Sequence, residues 1–280
     1  MNLQSKDIKK KIGMLPLEQQ KEVLALLEQY EQVKSKEESQ KEFIPFVRAM
    51  WSEFIGGEHH EIMAEAFEKV ASGELKRLII NMPPRHTKSE FASYLFPAWF
   101  LGQYPEKKVI QTAHTAELAV GFGRKVRNLI QSEEYQKVFS GIELSTDSKA
   151  AGRWNTNKGG DYFAIGVGGA VTGKGADVLI IDDPHSEQDA QAGQYNPEVF
   201  DKVYEWYTSG PRQRLQPGGA IILVMTRWAK RDLTGQILKS MTEREGADDW
   251  EVIQLPAIMP SGSPLWGEYW RLEELERLKA

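Results

Sequence analysis

The chain of 280 residues contains no cysteine. Disulfide bonds and metal sites built on thiolates are therefore excluded. The sequence has five histidines, but none of them stands in an HExxH pair, the spacing with which a helix presents two ring nitrogens to zinc. We therefore expect no site for a soft metal ion.

Long hydrophobic runs are also missing. The longest ones, such as "AIILVM", fall far short of the roughly 20 apolar residues that a membrane-spanning helix needs. The first residues, "MNLQSKDIKKK", are charged and lack the apolar core of a secretion signal. These features predict a cytoplasmic protein.

An excess of positive charge is absent as well. The 35 lysines and arginines are outnumbered by 40 acidic residues, which gives a net charge of -5. This balance excludes a globally basic nucleic-acid coat, but it leaves a local basic groove open, because binding depends on where the cations lie. A role with DNA must therefore rest on motifs. With 41% hydrophobic residues, the chain can build one large or two small domains.

Three regions follow one another along the chain. Residues 1–40 are rich in lysine, glutamate and glutamine with leucines at helical spacing, which predicts a helical arm. The arm is either a solvated helix packed on its own core or a partner-binding element. Residues 41–260 form the main domain, and residues 261–280 open with Ser, Gly and Pro, as a linker does.

The main domain alternates short aliphatic runs with longer amphipathic stretches. Such a pattern indicates an α/β fold with a mostly parallel central sheet flanked by helices. Six runs are predicted to be strands: "LKRLIINMP", "KKVIQTAHT", "DYFAIGVGG", "ADVLIIDDP", "GAIILVMTRW" and "WEVIQLPAI".

The first predicted strand leads into "INMPPRHTKSEF", residues 80–91, which resembles a Walker A phosphate loop without its glycines. Lys88 and Ser89 stand at the lysine and hydroxyl positions, but Met82 and Thr87 occupy the two glycine positions. The function requires a turn with its amides pointing inward, and the two prolines can stiffen such a turn in another way. Taken alone, the stretch is equally compatible with an exposed basic turn.

A second motif, "ADVLIIDDPHSE", ends a buried strand with two carboxylates. Sites in open α/β sheets form at this end of the strands. Asp182 is therefore the candidate Walker B residue for Mg²⁺, and Asp183 is the candidate for orienting the attacking water. The alternative is a strand that simply ends in a polar turn.

A third strand ends in Thr226 and Arg227, where a hydroxyl and a guanidinium can sense the γ-phosphate and pass its loss to a moving element. In the alternative interpretation, Thr226 caps a turn and Arg227 pairs with a surface acid.

Four stretches together resemble the large terminase subunit of tailed bacteriophages, the ATPase that drives DNA into an empty capsid. They are "LIINMPPRHTKSE", "GRWNTNKGGDYFAIGVGGAVTGKGADVLIIDDP", "VYEWYTSGPRQRL" and "GGAIILVMTRWAKRDLTGQIL". The resemblance is collinear from about His59 to about Trp266. It implies a P-loop NTPase fold of the ASCE/RecA-like type, ATP and Mg²⁺ as cofactors, and a linker at 261–280 toward a nuclease domain absent from this chain.

The resemblance also assigns site residues. It implies contacts with nucleotide from the loop Pro84, Arg85, His86, Thr87, Lys88 and Ser89, from Thr226 and Arg227 after the later strand, and from His59 and His60 in an adenine-contacting segment. Ser89 and Asp182 match the Mg²⁺ ligands. The family generally has glutamate where Asp183 stands, so Glu187 is kept as a second candidate for the base.

Ring ATPases of this kind complete their site with a cation from the neighbouring subunit. Lys174 and Arg153 are the candidates here. The alternative for Lys174 is a glycine-flanked basic turn that faces solvent.

The implied partners are double-stranded DNA, the portal protein, the small terminase subunit and further copies of this chain in a ring on the procapsid, in the host cytoplasm. Two other functions stay open: a helicase-like DNA-dependent ATPase, and a non-hydrolysing assembly module of the same fold.

Overall fold

The computed structural model describes residues 12–171 and 173–279. The first eleven residues of the predicted helical arm lie outside this part of the chain. The described helices are α1 (Leu17–Lys41), α2 (Phe43–Met50), α3 (Glu58–Ser72), α4 (Phe96–Gln103), α5 (Ala116–Ile130), α6 (Glu133–Val138), α7 (Glu187–Gly193), α8 (Glu198–Ser209), α9 (Leu233–Glu243) and α10 (Leu272–Lys279). A π-helical segment, Glu90–Leu95, precedes α4, and a 3-10 turn, Pro211–Arg214, follows α8.

The strands of the described residues form one sheet. They are β1 (Arg77–Asn81), β2 (Lys108–Ala113), β3 (Leu144–Ala150), β4 (Arg153–Thr156), β5 (Asp161–Gly166), β6 (Ala176–Asp182), β7 (Leu215–Met225) and β8 (Glu251–Gln254), in the order β3-β4-β5-β2-β6-β7-β1-β8. In this order the pairings from β5 to β8 are all parallel, whereas β4 pairs antiparallel with both β3 and β5. The predicted mostly parallel α/β sheet is confirmed, and each of the six predicted runs contains a strand.

Helices cover both faces of the sheet. Because side chains alternate along a strand, Leu78 and Ile80 of β1 face one core, whereas Ile79 faces the other. The first core is closed by aromatic residues of α2, α3 and the helix after β1, around the fully buried ring of Phe43. The second is closed by α8 and α9. The two-sided burial explains why the parallel strands read as continuous apolar runs.

The last described segment packs back on the domain. Leu265, Trp266 and Leu275 are all buried, and the Trp266 ring lies against the rings of His59 and His60. The rings of Trp266 and Trp270 also lie 6.4 Å and 6.1 Å from the ring of His86, which places part of the predicted 261–280 linker over the loop that follows β1.

No helix among the residues that the structure describes is long and apolar enough to cross a membrane.

Candidate functional site

Three neighbouring parallel strands end side by side and carry the predicted motifs. Asn81 at the end of β1 pairs with Met225 of β7, and Val224 of β7 pairs with Asp182 at the end of β6. The loop after β1, the Asp182–Asp183 pair and Thr226 therefore share one edge of the sheet. This is the edge at which open α/β sheets bind ligands.

The loop after β1 contains two residues with a left-handed backbone, although it has no glycine. The φ angle is +62° at Arg85 and +65° at Thr87, whereas neither His86 nor Lys88 has a positive φ. An alternation of right- and left-handed residues turns successive backbone N–H groups toward one side, which forms an anion-binding nest. The helix begins at Lys88, so its N-terminus adds further free amides at the same place.

The Lys88 side chain lies inside this site. It is 5% exposed, and its Nζ is 2.8 Å from Oδ2 of Asp183. The other oxygen of Asp183, Oδ1, accepts a hydrogen bond of 2.8 Å from the backbone N–H of Thr226. Asp183 therefore links Lys88, in the loop after β1, to Thr226, directly after β7. Its φ of +38° marks a bend in the backbone directly after β6.

Asp182 is buried and held by two serines. Oδ1 accepts a hydrogen bond of 2.9 Å from Ser89 Oγ, and Oδ2 accepts one of 2.7 Å from Ser93 Oγ. Burial, reinforced by the neighbouring charge of Asp183, raises the pKa of Asp182 to about 7, while the serine bonds and Lys88 act in the opposite direction. A cation bound beside Asp182 would therefore stabilise the ionised carboxylate, which burial has deprived of water.

Hydroxyl and carboxylate oxygens are the ligands that Mg²⁺ prefers. Ser89 and Asp182 supply one of each in direct contact, beside a loop suited to phosphate. Both therefore fit the predicted role as metal ligands. Neighbouring phosphates and waters would complete the coordination, as is usual for this ion.

Sequence reasoning missed Ser93 and Gln111. Ser93 is fully buried in the π-helical segment, and Gln111 Nε2 of β2 donates to Ser93 Oγ over 2.9 Å. The only signal in the sequence is a second serine four positions after Ser89. Whether that serine faces the sheet depends on the extra residue per turn of a π-helix, which no periodicity revealed.

The histidines of the predicted adenine segment are interior residues. Both His59 and His60 are 0% exposed, and Trp266 covers them with ring centroids at 5.4 Å and 5.1 Å. Burial lowers the pKa of His59 to about 4 and that of His60 to about 3, with a smaller contribution from His86 in the case of His59 and from His59 in the case of His60. Both rings are neutral near pH 7, and an adenine contact would require Trp266 to move away.

His86 is buried within the loop itself. Its Nδ1 lies 2.9 Å from the carbonyl of Pro84, so this nitrogen carries the proton in the neutral ring. Burial lowers the pKa of His86. The ring therefore stiffens the turn, while Arg85 beside it is exposed.

Thr226 and Arg227 are neighbours in sequence, but they contact different parts of the structure. Thr226 contacts Asp183 through its amide, and its hydroxyl donates over 3.4 Å to the carbonyl of Met82. Arg227 turns away: its Nε is 2.9 Å from Oδ2 of Asp232, the buried N-cap of α9. Arg227 is thus connected to α9 rather than to the loop.

The three remaining catalytic candidates lie outside the bonded cluster. Lys174 forms an ion pair with Asp161, and their side chains are 14% and 15% exposed. Arg153 is exposed at the start of β4. Glu187 is the exposed first residue of α7, where it lines a cavity of about 690 Å³ together with Arg85 and His86.

Two further contacts join the site to α9. Asn81 Nδ2 donates to Thr234 Oγ1 over 3.1 Å, and the amide of Leu233 donates to His185 Nε2 over 2.9 Å. Neither Asn81 nor His185 was predicted as a site residue. The first turn of α9 is consequently held by the ends of both motif strands.

The arrangement is that of an anion-binding loop, a buried lysine and a pair of adjacent carboxylates at the carboxyl edge of a parallel sheet. No family model matches the chain, and no curated protein matches it. Among solved structures, the fold is similar to the HK97 bacteriophage large terminase, with a TM-score of 0.45 and 11% sequence identity. The match covers 76% of this chain and 45% of that chain, so this chain spans less than half of its length.

Proposed function

We propose that this chain binds ATP with Mg²⁺ and hydrolyses it as the ATPase domain of a viral DNA-packaging motor. One observation carries the nucleotide part: the glycine-free loop forms a nest whose lysine contacts Asp183, directly after β6, and whose serine contacts Asp182, the last residue of β6. The proposal assigns this cluster to the triphosphate of the nucleotide.

Each residue then has a defined task. The loop amides and Lys88 hold the β- and γ-phosphates, and Ser89 with Asp182 holds Mg²⁺, which neutralises charge on the phosphate oxygens. Asp183 orients the attacking water once Lys88 has moved to the phosphates, with the more distant Glu187 as the second candidate. Positioning and electrostatics supply the catalysis, as in phosphoryl transfer generally.

The contacts of Asp183 support a route from hydrolysis to movement. The carboxylate accepts a bond from Thr226, and the turn after Thr226 is held by Asp232 at the start of α9. A change in the partner of Asp183 therefore alters the end of β7, from which α9 is reached within eight residues. This is the coupling that a motor requires between phosphate loss and a moving element.

The packaging role rests on the resemblance of four collinear sequence stretches to large terminase subunits. It brings double-stranded DNA, the portal protein, the small terminase subunit and a ring of copies of this chain as partners. Two basic clusters are candidates for DNA contact: Arg124, Lys125 and Arg127 in α5, and Arg212 and Arg214 in the 3-10 turn. In one of them, Arg212 is engaged with Asp248 at 2.9 Å. In the other, Lys125 lies over the rings of Tyr94 and Phe122.

The test is the steady-state rate of ATP hydrolysis per protomer, measured against protein concentration with and without duplex DNA. Lys88→Ala is the blank. We expect a wild-type rate that exceeds the blank, rises more steeply than linearly with concentration and increases with DNA.

A wild-type rate equal to the blank under every condition would contradict the ATPase proposal. Nucleotide binding without turnover would then favour the non-hydrolysing assembly module. Separation of DNA strands coupled to hydrolysis would favour the helicase-like ATPase instead.

A further inference from the structure

Thr87 adopts a backbone conformation that its residue type disfavours. At φ +65° it lies in the left-handed region, which L residues disfavour and in which a β-branched side chain is an outlier. Glycine takes this conformation without penalty and stands at the equivalent position of a Walker A loop. Such strain persists only where the surrounding structure fixes it.

A chain of three hydrogen bonds fixes it here. The Gly57 amide donates to His60 Nδ1 over 2.9 Å, so the proton of the neutral ring is on Nε2. Nε2 lies 2.7 Å from Thr87 Oγ1 and donates to it. The hydroxyl in turn donates to the carbonyl of His86 over 2.6 Å. Each donor has one acceptor, and the direction of every bond is determined.

The ring of His60 is itself immobilised. It lies in the first turn of α3, fully buried, with ring centroids 4.8 Å from those of both Phe54 and Phe91. Trp266 closes the remaining side at 5.1 Å. The donor that reaches Thr87 is therefore held by the hydrophobic core and not by the loop.

We propose that His60 is a positioning residue that replaces the glycine of the phosphate loop: it anchors the Thr87 hydroxyl and so keeps residue 87 left-handed and the loop amides convergent. This role rests on the proposed function as far as the phosphates are concerned. The conformational part concerns the nucleotide-free chain alone.

A double-mutant cycle between positions 60 and 87 tests this role. His60→Leu keeps a buried side chain but removes the donor, and it should weaken the binding of a fluorescent ATP analogue with Mg²⁺ by about tenfold, the effect of one lost hydrogen bond. Added to Thr87→Gly, the same change should cost less than about twofold. His60→Gln, which retains a donor, should lose less affinity than His60→Leu.

The half-buried position 87 gives a second measurement that does not disturb the core. Thr87→Val removes the hydroxyl at nearly constant volume and should weaken binding, whereas Thr87→Ser should weaken it less. Equal losses for Val and Ser, or a full tenfold effect of His60→Leu added to Thr87→Gly, would overturn the proposal.

The same cycle can be followed without nucleotide by hydrogen exchange of the amides of residues 85–88. His60→Leu should accelerate their exchange in the parent protein and leave it unchanged when added to Thr87→Gly. Nucleotide binding that Lys88→Ala does not affect would contradict the proposed function alone. An unchanged exchange rate in His60→Leu would contradict the role of His60 alone.

Discussion

Asp182 and Asp183 are adjacent in sequence, yet their surroundings differ in every respect that matters for chemistry. Asp182 is 2% exposed and accepts from two serine hydroxyls, whereas the Asp183 side chain is 32% exposed and contacts an ammonium group. A bound cation would stabilise the buried carboxylate of Asp182. The carboxylate of Asp183 can exchange its partner, Lys88, because it is partly exposed. Two identical residues thus suit two different tasks because only one of them faces the interior.

The buried histidines predict how stability depends on pH. The unfolded chain takes up protons at His59 and His60 near pH 6.5, but the folded chain does so only near pH 4 and pH 3. The unfolded state therefore binds more protons in this window, and the stabilisation present above pH 6.5 is lost as the pH falls. Each ring contributes a slope of up to about 1.4 kcal/mol per pH unit.

Urea denaturation at pH 7, 6 and 5 measures this effect, with His60→Gln as the comparison. The variant should lose stability less steeply than the wild type, because one titrating ring is removed. Parallel curves for the two proteins would show that His60 takes up its proton equally in the folded and unfolded states.

Among the elements, the strands that carry the site could be predicted from the sequence, whereas the antiparallel edge formed by β3 and β4 could not. Strands β1, β2, β6 and the second part of β7 are buried on both faces, and their aliphatic runs are direct signals. The β4 strand is mostly polar, with Trp154 and Thr156 alone buried, and it reads as a loop. The β4 strand is stabilised by its pairing with β5, and its composition gives no signal for a strand.

The same distinction applies to the site. Lys88, Ser89, Asp182 and Asp183 follow from their position at strand ends, because parallel strands bring their carboxyl ends together. Ser93, Gln111 and His185 reach the site through the winding of a helix and through tertiary packing, which sequence spacing does not encode. The left-handed conformation of Thr87 was equally hidden, since its cause is a histidine 27 residues earlier.

The turn between β7 and α9 should respond to nucleotide. Without nucleotide, Asp183 accepts from the Thr226 amide and is paired with Lys88. If the chain binds nucleotide as proposed, a non-hydrolysable ATP analogue should draw Lys88 to the phosphates and change the charge beside Asp183. Hydrogen exchange of residues 226–234 should therefore change on binding, while that of residues 126–130, the last turn of α5, should not.

Lys88→Ala is the matched control, since it removes the cation that couples the phosphates to Asp183. If hydrogen exchange in residues 226–234 stays constant while the analogue is bound, the site is not coupled to α9.

At the scale of the whole molecule, the candidate cations for a shared active site belong to the part of the sheet away from the loop. Lys174 is tied to Asp161 on β5 and lies over the ring of Phe163, and Arg153 is exposed on β4. Neither contacts the cluster formed by Lys88 and the two aspartates. A cation in this position can serve the site of a neighbouring copy without leaving its own domain, provided that Lys174 exchanges Asp161 for a phosphate.

Mixing two inactive variants tests this arrangement. Lys88→Ala has a defective phosphate loop but an intact Lys174, and Lys174→Ala has the opposite defect. If the cation acts between subunits, each variant alone should be slower than the wild type, Lys174→Ala by about 10³-fold where the cation contributes as strongly as an arginine finger. A mixture should then exceed the summed rates of its parts, because some interfaces combine the intact loop of one copy with the intact lysine of the next.

Arg153→Ala, mixed with Lys88→Ala in the same way, distinguishes the two candidates. Rates that merely add at every mixing ratio would contradict a catalytic cation supplied by a neighbouring copy.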